Sequence, residues 1–218
     1  MIKGFIFDLD GVITDTAEYH YIAWKELADQ QGWKFDREVN ERLRGVSRLD
    51  SIKIIAEHNG IEMSDERLSE LANEKNELYV KSLGNITSED YLPGAESLLS
   101  NLKERGFKIG LGSASKNART VLDKLGASSY FDVIGDGSSV ERSKPAPDLF
   151  LFVASEMGFD PSECVVYEDA ESGVDAAKAG GLRSVGIGPE ERVGHADIFF
   201  PDMESAGYAE IREFFDLN

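Results

Sequence analysis

Apolar and polar positions follow two different rhythms along this chain. From about Leu92 onward, helical patterns alternate with short β-rich runs. Ala95–Glu104 carries Leu98, Leu99 and Leu102 at helical spacing, with Gly106 placed to end it. Phe107–Leu111 predicts a strand, Asn117–Leu125 a helix stopped by Gly126, and Phe131–Ile134 another strand. Asp148–Met157 predicts a helix ending at Gly158, Cys164–Tyr167 a strand and Glu171–Ala179 a helix; Ser184–Ile187 and Ile198–Phe200 predict the last strands. Such alternation calls for a parallel sheet with helices on both faces. The run Ile2–Phe7 predicts the first strand of that sheet, although its partners come much later in the chain.

Between Thr16 and about Leu83 the pattern is helical throughout. Ala17–Gln30 sets Ala23, Trp24 and Leu27 on one side, and Arg48–Glu57 gathers Ile52, Ile54, Ile55 and Ala56. Asp65–Leu83 places Leu68, Leu71, Leu78 and Tyr79 on one stripe, behind Ser64 as N-cap. The expected organisation is an α/β core from residues 1–15 and 88–218, with residues 16–87 inserted as an all-helical cap over the end of the first strand.

In an open α/β sheet, ligands bind beyond the carboxyl ends of the strands. After the first strand come Asp8 and Asp10, one residue apart and so on the same side of an extended chain. Such a pair repels itself unless a cation or a shared proton intervenes; taken alone, it reads equally as a strand end with an Asp-Gly turn. After the next strand come Ser113 and Ser115 at a helix start, able to bind an anion or simply to cap the helix with Asn117. Lys144 stands before a proline that keeps its backbone extended, and Glu168-Asp169 closes a later strand. Asp8, Glu168 and Asp169 supply the hard oxygens that Mg²⁺ prefers. Metal, lysine and amide donors around one carboxylate suit phosphoryl transfer, in which an Asp can itself carry the phosphoryl group. In the insert, His20 and Lys75 lie on apolar stripes, where a histidine is usually a satisfied core residue and a lysine usually snorkels outward. Arg48 offers a planar fork suited to phosphate.

Composition narrows the reading. A formal charge of −18 over 218 residues excludes sequence-independent binding to nucleic acid or anionic membrane. The single cysteine excludes an internal disulfide and predicts a reducing, cytoplasmic setting. No apolar stretch approaches the roughly 20 residues of a membrane span, and no export signal is expected at the N-terminus. No self-association motif stands out, so a monomer is expected.

The order Asp8-x-Asp10-Gly-Val, Gly-Ser113, Ser143-Lys144-Pro and Glu168-Asp169 resembles the haloacid dehalogenase superfamily of phosphotransferases. The segments from Asp8 to His20, Gly45-Val-Ser-Arg48, Ser113-Ala-Ser-Lys-Asn117 and Ser143–Asp148 resemble its β-phosphoglucomutase branch more closely. The resemblance implies a Rossmann-like core with a helical cap and a Mg²⁺-dependent isomerase of β-D-glucose 1-phosphate and glucose 6-phosphate. The alternative it leaves is a sugar-phosphate phosphatase; a non-catalytic phosphometabolite sensor would not need these residues together. It further implies Asp8 as nucleophile and metal ligand, and Asp10 as general acid/base with its carbonyl on the metal. Asp169 would complete the protein's metal ligands, with Glu168 beside it, and Ser113 and Lys144 would hold the moving phosphoryl group. Thr16 and His20 would join the catalytic group. Gly45, Val46, Ser47 and Arg48 would meet the substrate from the cap, with Trp24, Lys75 and Ala114 completing its lining. Ser115, Lys116 and Asn117 would surround the phosphate that is not reacting.

Overall fold

Six short strands form one fully parallel sheet in the computed structural model, which describes residues 1–217. They are β1 (Gly4–Phe7), β2 (Lys108–Gly112), β3 (Val133–Gly135), β4 (Cys164–Glu168), β5 (Arg183–Ile187) and β6 (Ile198–Phe200), in the order β3-β2-β1-β4-β5-β6. The helices are α1 (Ala17–Gln31), α2 (Arg37–Glu41), α3 (Arg48–His58), α4 (Asp65–Ser82), α5 (Ala95–Glu104), α6 (Ala118–Leu125), α7 (Asp148–Met157), α8 (Glu171–Ala179), α9 (Glu190–Val193) and α10 (Tyr208–Phe214).

β1 lies between β2 and β4, and helices cover both faces of the sheet there. Phe5 and Phe7 point to one face, where they join Leu98 and Leu99 of α5, Val121 of α6 and Ile211 of α10. Ile6 points to the other, against Phe150 and Val153 of α7 and Ala176 of α8. All three β1 side chains are fully buried, each contributing about 1.5–3 kcal/mol of hydrophobic stabilisation. Register then sets the functional edge: Phe7 pairs with Leu111 on one side and Tyr167 on the other. Asp8, Ser113 and Glu168 therefore leave the sheet at nearly one level. This is also where successive connections diverge to opposite halves of the sheet, the position at which α/β folds bind ligands.

Helices α1 to α4 stand over that edge. Trp24, Leu27, Ile52, Ile55 and Leu71 form a cluster of their own, while Ala23, Tyr79 and Leu83 join the cluster beneath β1. Thus α1 and α4 are shared between the helical layer and the sheet.

The structure departs from the sequence expectations in short elements. α2 has five residues, capped by Asp36, which accepts from the Val39 amide; one helical turn is too short to show a period. α9 and α10, of four and seven residues, were not expected for the same reason. β3 is shifted from Phe131–Ile134 to Val133–Gly135: Phe131 packs into the core, and although the Asp132 amide donates to the Ile109 carbonyl at 2.7 Å, the Ile109 amide donates to the Asp132 carboxylate, at 2.9 Å. No helix among the described residues is long and apolar enough to cross a membrane.

Candidate active site

The floor of the site is a buried charge cluster. Asp8, directly after β1, accepts a hydrogen bond at 2.7 Å from Lys144 Nζ, which also donates to Glu168 Oε2 at 2.8 Å. The Lys144 side chain is completely buried, with its ammonium 4.7 Å from the centre of the Phe150 ring, and the Lys144–Pro145 peptide is cis. The Ala170 amide holds the other Glu168 oxygen at 3.2 Å. One oxygen each from Asp8, Glu168 and Asp169 lies within 4.8 Å of the others.

Three carboxylates around one lysine leave an excess of negative charge. Burial alone would lower the Lys144 pKa, but Asp8 and Glu168 outweigh it and hold the ammonium well above its ordinary range. Burial, and then the charge of Asp8, raises both Glu168 and Asp169 above the usual carboxylate range. Hard, converging oxygens with surplus negative charge fit a divalent cation such as Mg²⁺. Gly11, at φ +77°, lets the chain pass directly against the Asp169 carboxyl, where a Cβ would collide.

Asp10 sits apart from that cluster. Its Oδ1 accepts from the Thr16 hydroxyl, which lies 3.1 Å from Tyr79 Oη. Burial first, and then Asp8, raises the Asp10 pKa to about 7. A carboxyl poised there can give or take a proton near neutral pH.

The roof comes from α1 and α4. Lys75 does not snorkel outward: it is 2% exposed, with Nζ 2.7 Å from His20 Nδ1. Its ammonium also faces the rings of Trp24 and Tyr79, 4.8 and 4.7 Å from their centres. Burial, and then Arg48, pulls the Lys75 pKa down to about 7. Burial and Lys75 push His20 well below its ordinary value, so its ring is neutral.

The far wall joins both layers. Asn117 occupies the N-cap position of α6 without capping it; its Nδ2 donates instead to Asn76 Oδ1 of α4 at 2.8 Å. The Ser113 and Ser115 hydroxyls accept from the Ser115 and Asn117 amides at 3.1 and 3.2 Å, which folds the loop into a tight nest. With Ala114 and Lys116 these residues face Gly45, Val46 and Arg48 across a single cavity, whose floor includes Asp8, Asp10 and Asp169.

The sequence model of the haloacid dehalogenase-like hydrolases matches residues 2–181. The chain belongs to that family. It is 43% identical to the beta-phosphoglucomutase of Bacillus subtilis, over 90% of this chain and 88% of that one. It is 36% identical to the fructose-1-phosphate phosphatase YqaB of Escherichia coli, over 84% of this chain and 95% of the relative. A crystal structure of beta-phosphoglucomutase from Clostridium difficile superposes with a TM-score of 0.95 at 43% identity, covering 99% of this chain and 98% of that one.

In this haloacid dehalogenase-like chain, most residues singled out from sequence converge on the cavity, His20, Trp24 and Lys75 among them. Thr16 and Lys144 lie just beneath its surface, bonded to Asp10 and Asp8 of its lining, and Glu168 lies behind them, bonded to Lys144. Ser47 stands outside the lining: its hydroxyl caps α3, accepting from the Asp50 amide and donating to the Asp50 carboxylate at 2.5 Å. Sequence reasoning missed Arg44, Asn76 and Tyr79. Arg44 and Asn76 each neighbour a residue already chosen, but nothing local marks their partners.

Proposed function

We propose that this chain is a phosphomutase interconverting β-D-glucose 1-phosphate and D-glucose 6-phosphate through an aspartyl-phosphate at Asp8 and β-glucose 1,6-bisphosphate. The observation that carries this reading is a cavity lined by two chemically different groups. A nucleophile and a near-neutral carboxyl, Asp8 and Asp10, form one, and Arg48, Lys116 and Asn117 the other; Arg48 and Lys116 also line an adjoining cavity that neither acid reaches. A mutase must hold one phosphate while the other reacts, whereas a phosphatase needs only the first group. The name of the Bacillus subtilis relative supports the same choice.

In this reading a carboxylate oxygen of Asp8 attacks phosphorus, and the sugar oxygen leaves with a proton from Asp10. In the reverse step Asp10 takes the proton of a sugar hydroxyl as that oxygen attacks the phosphoryl group on Asp8. Lys144 offsets charge beside Asp8, and Ser113 offers its hydroxyl to the transferring group. Mg²⁺ held by Asp8, Asp169 and the Asp10 carbonyl, with Glu168 beside it, would neutralise phosphoryl oxygens. Residues 16–87 act as the cap: Gly45, Val46 and Arg48 meet the substrate, and His20, Trp24 and Lys75 wall off water that would hydrolyse the phosphoenzyme. One chain completes the cavity, in keeping with a monomer, and buried Cys164 suits a reducing cytoplasm.

The test is to incubate the protein with β-glucose 1-phosphate, Mg²⁺ and a trace of the bisphosphate while following glucose 6-phosphate and free phosphate. Isomer without matching phosphate release is the expected result. Phosphate release without isomer would replace the mutase by a sugar-phosphate phosphatase.

A further inference from the structure

The loop before α3 is fastened to the acid cluster by a cation. Arg44 splits its guanidinium between the two layers: Nη1 donates to Asp169 Oδ2 at 2.8 Å, and Nε to Glu41 Oε2 at 2.9 Å. From α9, Arg192 closes a ring, with Nη1 3.7 Å from Glu41 and Nη2 3.9 Å from Asp169. Two cations and two anions thus alternate, Arg44 and Glu41 from the helical layer, Asp169 from the end of β4 and Arg192 from α9. The backbone follows the same path. The Arg44 carbonyl accepts from Ser172 Oγ at 3.3 Å, and at Gly45 (φ +68°) a Cβ would stand 2.7 Å from Ser172 Oγ and 3.1 Å from Ala170 Cβ.

We infer that Arg44 is a positioning residue that competes with the divalent cation for the Asp169 carboxylate, so that metal binding and attachment of the cap loop oppose each other. This rests on the proposed Mg²⁺ site. The charge ring is already balanced. A divalent cation at Asp169 adds positive charge beside Arg44 and Arg192, and Arg44, borne by the loop, makes the shorter contact, 2.8 Å against 3.9 Å. Reciprocity follows from linkage: whatever Arg44 costs the metal, the metal costs the Arg44 contact. An arginine acting through its charge alone would alter metal affinity but leave the radius of gyration indifferent to Mg²⁺.

The experiment is calorimetric titration of Mg²⁺ into the wild-type chain, Arg44→Gln, Arg44→Lys and Asp169→Asn. Arg44→Gln is expected to bind Mg²⁺ about tenfold more tightly, ~1.4 kcal/mol. Arg44→Lys, keeping charge without the fork, should fall between it and wild type. In small-angle scattering, Mg²⁺ should enlarge the radius of gyration of the wild type but not that of Arg44→Gln. Equal or weaker Mg²⁺ binding by Arg44→Gln, with binding still abolished in Asp169→Asn, overturns the competition and leaves the metal site standing. Mg²⁺ binding unaffected by Asp169→Asn overturns the metal site, and the inference with it.

Discussion

Lys144→Met tests whether the acid cluster is held together by one buried ammonium. The methionine keeps length and apolar contact with Phe150, so the perturbation is chiefly the charge and its two bonds to Asp8 and Glu168. Each charge-assisted bond is worth about 1.5–3 kcal/mol, and removing one member of a buried ion group costs about 3–5 kcal/mol. These overlap, so about 3–5 kcal/mol is the expected loss at slightly alkaline pH. The pH dependence carries a sign. Lys144 is held above its ordinary 10.5, so its stabilisation is fully present below that pH and constant across the neutral range. Glu168 and Asp169 are raised carboxyls: their contribution is present below their ordinary values and is lost as pH climbs through the folded-state values. Without Lys144 both rise further, so the deficit of the variant should grow as pH climbs above about 6, where the wild-type Asp169 ionises, and again above about 8, where the wild-type Glu168 does. Urea unfolding in chelator-treated buffer, followed by circular dichroism, measures it. A loss below ~1 kcal/mol, or one that stays level with pH, would refute the account of the cluster.

Asp8→Asn should abolish turnover while leaving the fold intact, because an amide cannot become an acyl phosphate; mass spectrometry that finds phosphate elsewhere on the turning-over wild-type chain would remove Asp8 from its role. Thr16→Val deletes the bond that lowers the Asp10 pKa, which burial and Asp8 set at about 7. The limb of the kcat/KM profile assigned to Asp10 should therefore move to higher pH, and an unmoved limb would mean that another group titrates there. Arg48→Ala should reduce mutase flux at least tenfold more than hydrolysis of a small phosphate ester, about 1.4 kcal/mol of selective loss. Equal loss of both activities would place Arg48 away from the distal phosphate.

The sheet was legible because burial on both faces writes itself into short apolar runs, and glycines at 126 and 158 mark where helices stop. The expected first strand was a little long, since Ile2 and Lys3 lie outside the ladder that begins at Gly4. Elements of one turn, such as Arg37–Glu41, carry too few positions to display a period. Asp132 shows a second limit: a side chain that substitutes for the backbone as acceptor moves a strand boundary without changing the local pattern.

The candidate site divides along the same line, between what a strand end dictates and what meets across the chain. Once β1 and β4 are neighbours, their shared register brings Asp8 and Glu168 together, so the motif could be read in advance. Lys144 reaches Asp8 across 136 positions, Arg44 reaches Asp169 across 125, and Asn117 reaches Asn76 across 41. Such contacts have no local signature, because each depends on where two independently specified elements stop. Lys75 makes the cost of that blindness concrete. Its stripe position licenses either a snorkelling lysine or a buried one, and only the ring faces of Trp24 and Tyr79 with the neutral His20 nitrogen decide it. A buried ammonium is tolerated where such partners replace part of its hydration. The helical layer therefore had to be assembled before its chemistry could be assigned, whereas the acids on the sheet followed from the strand order.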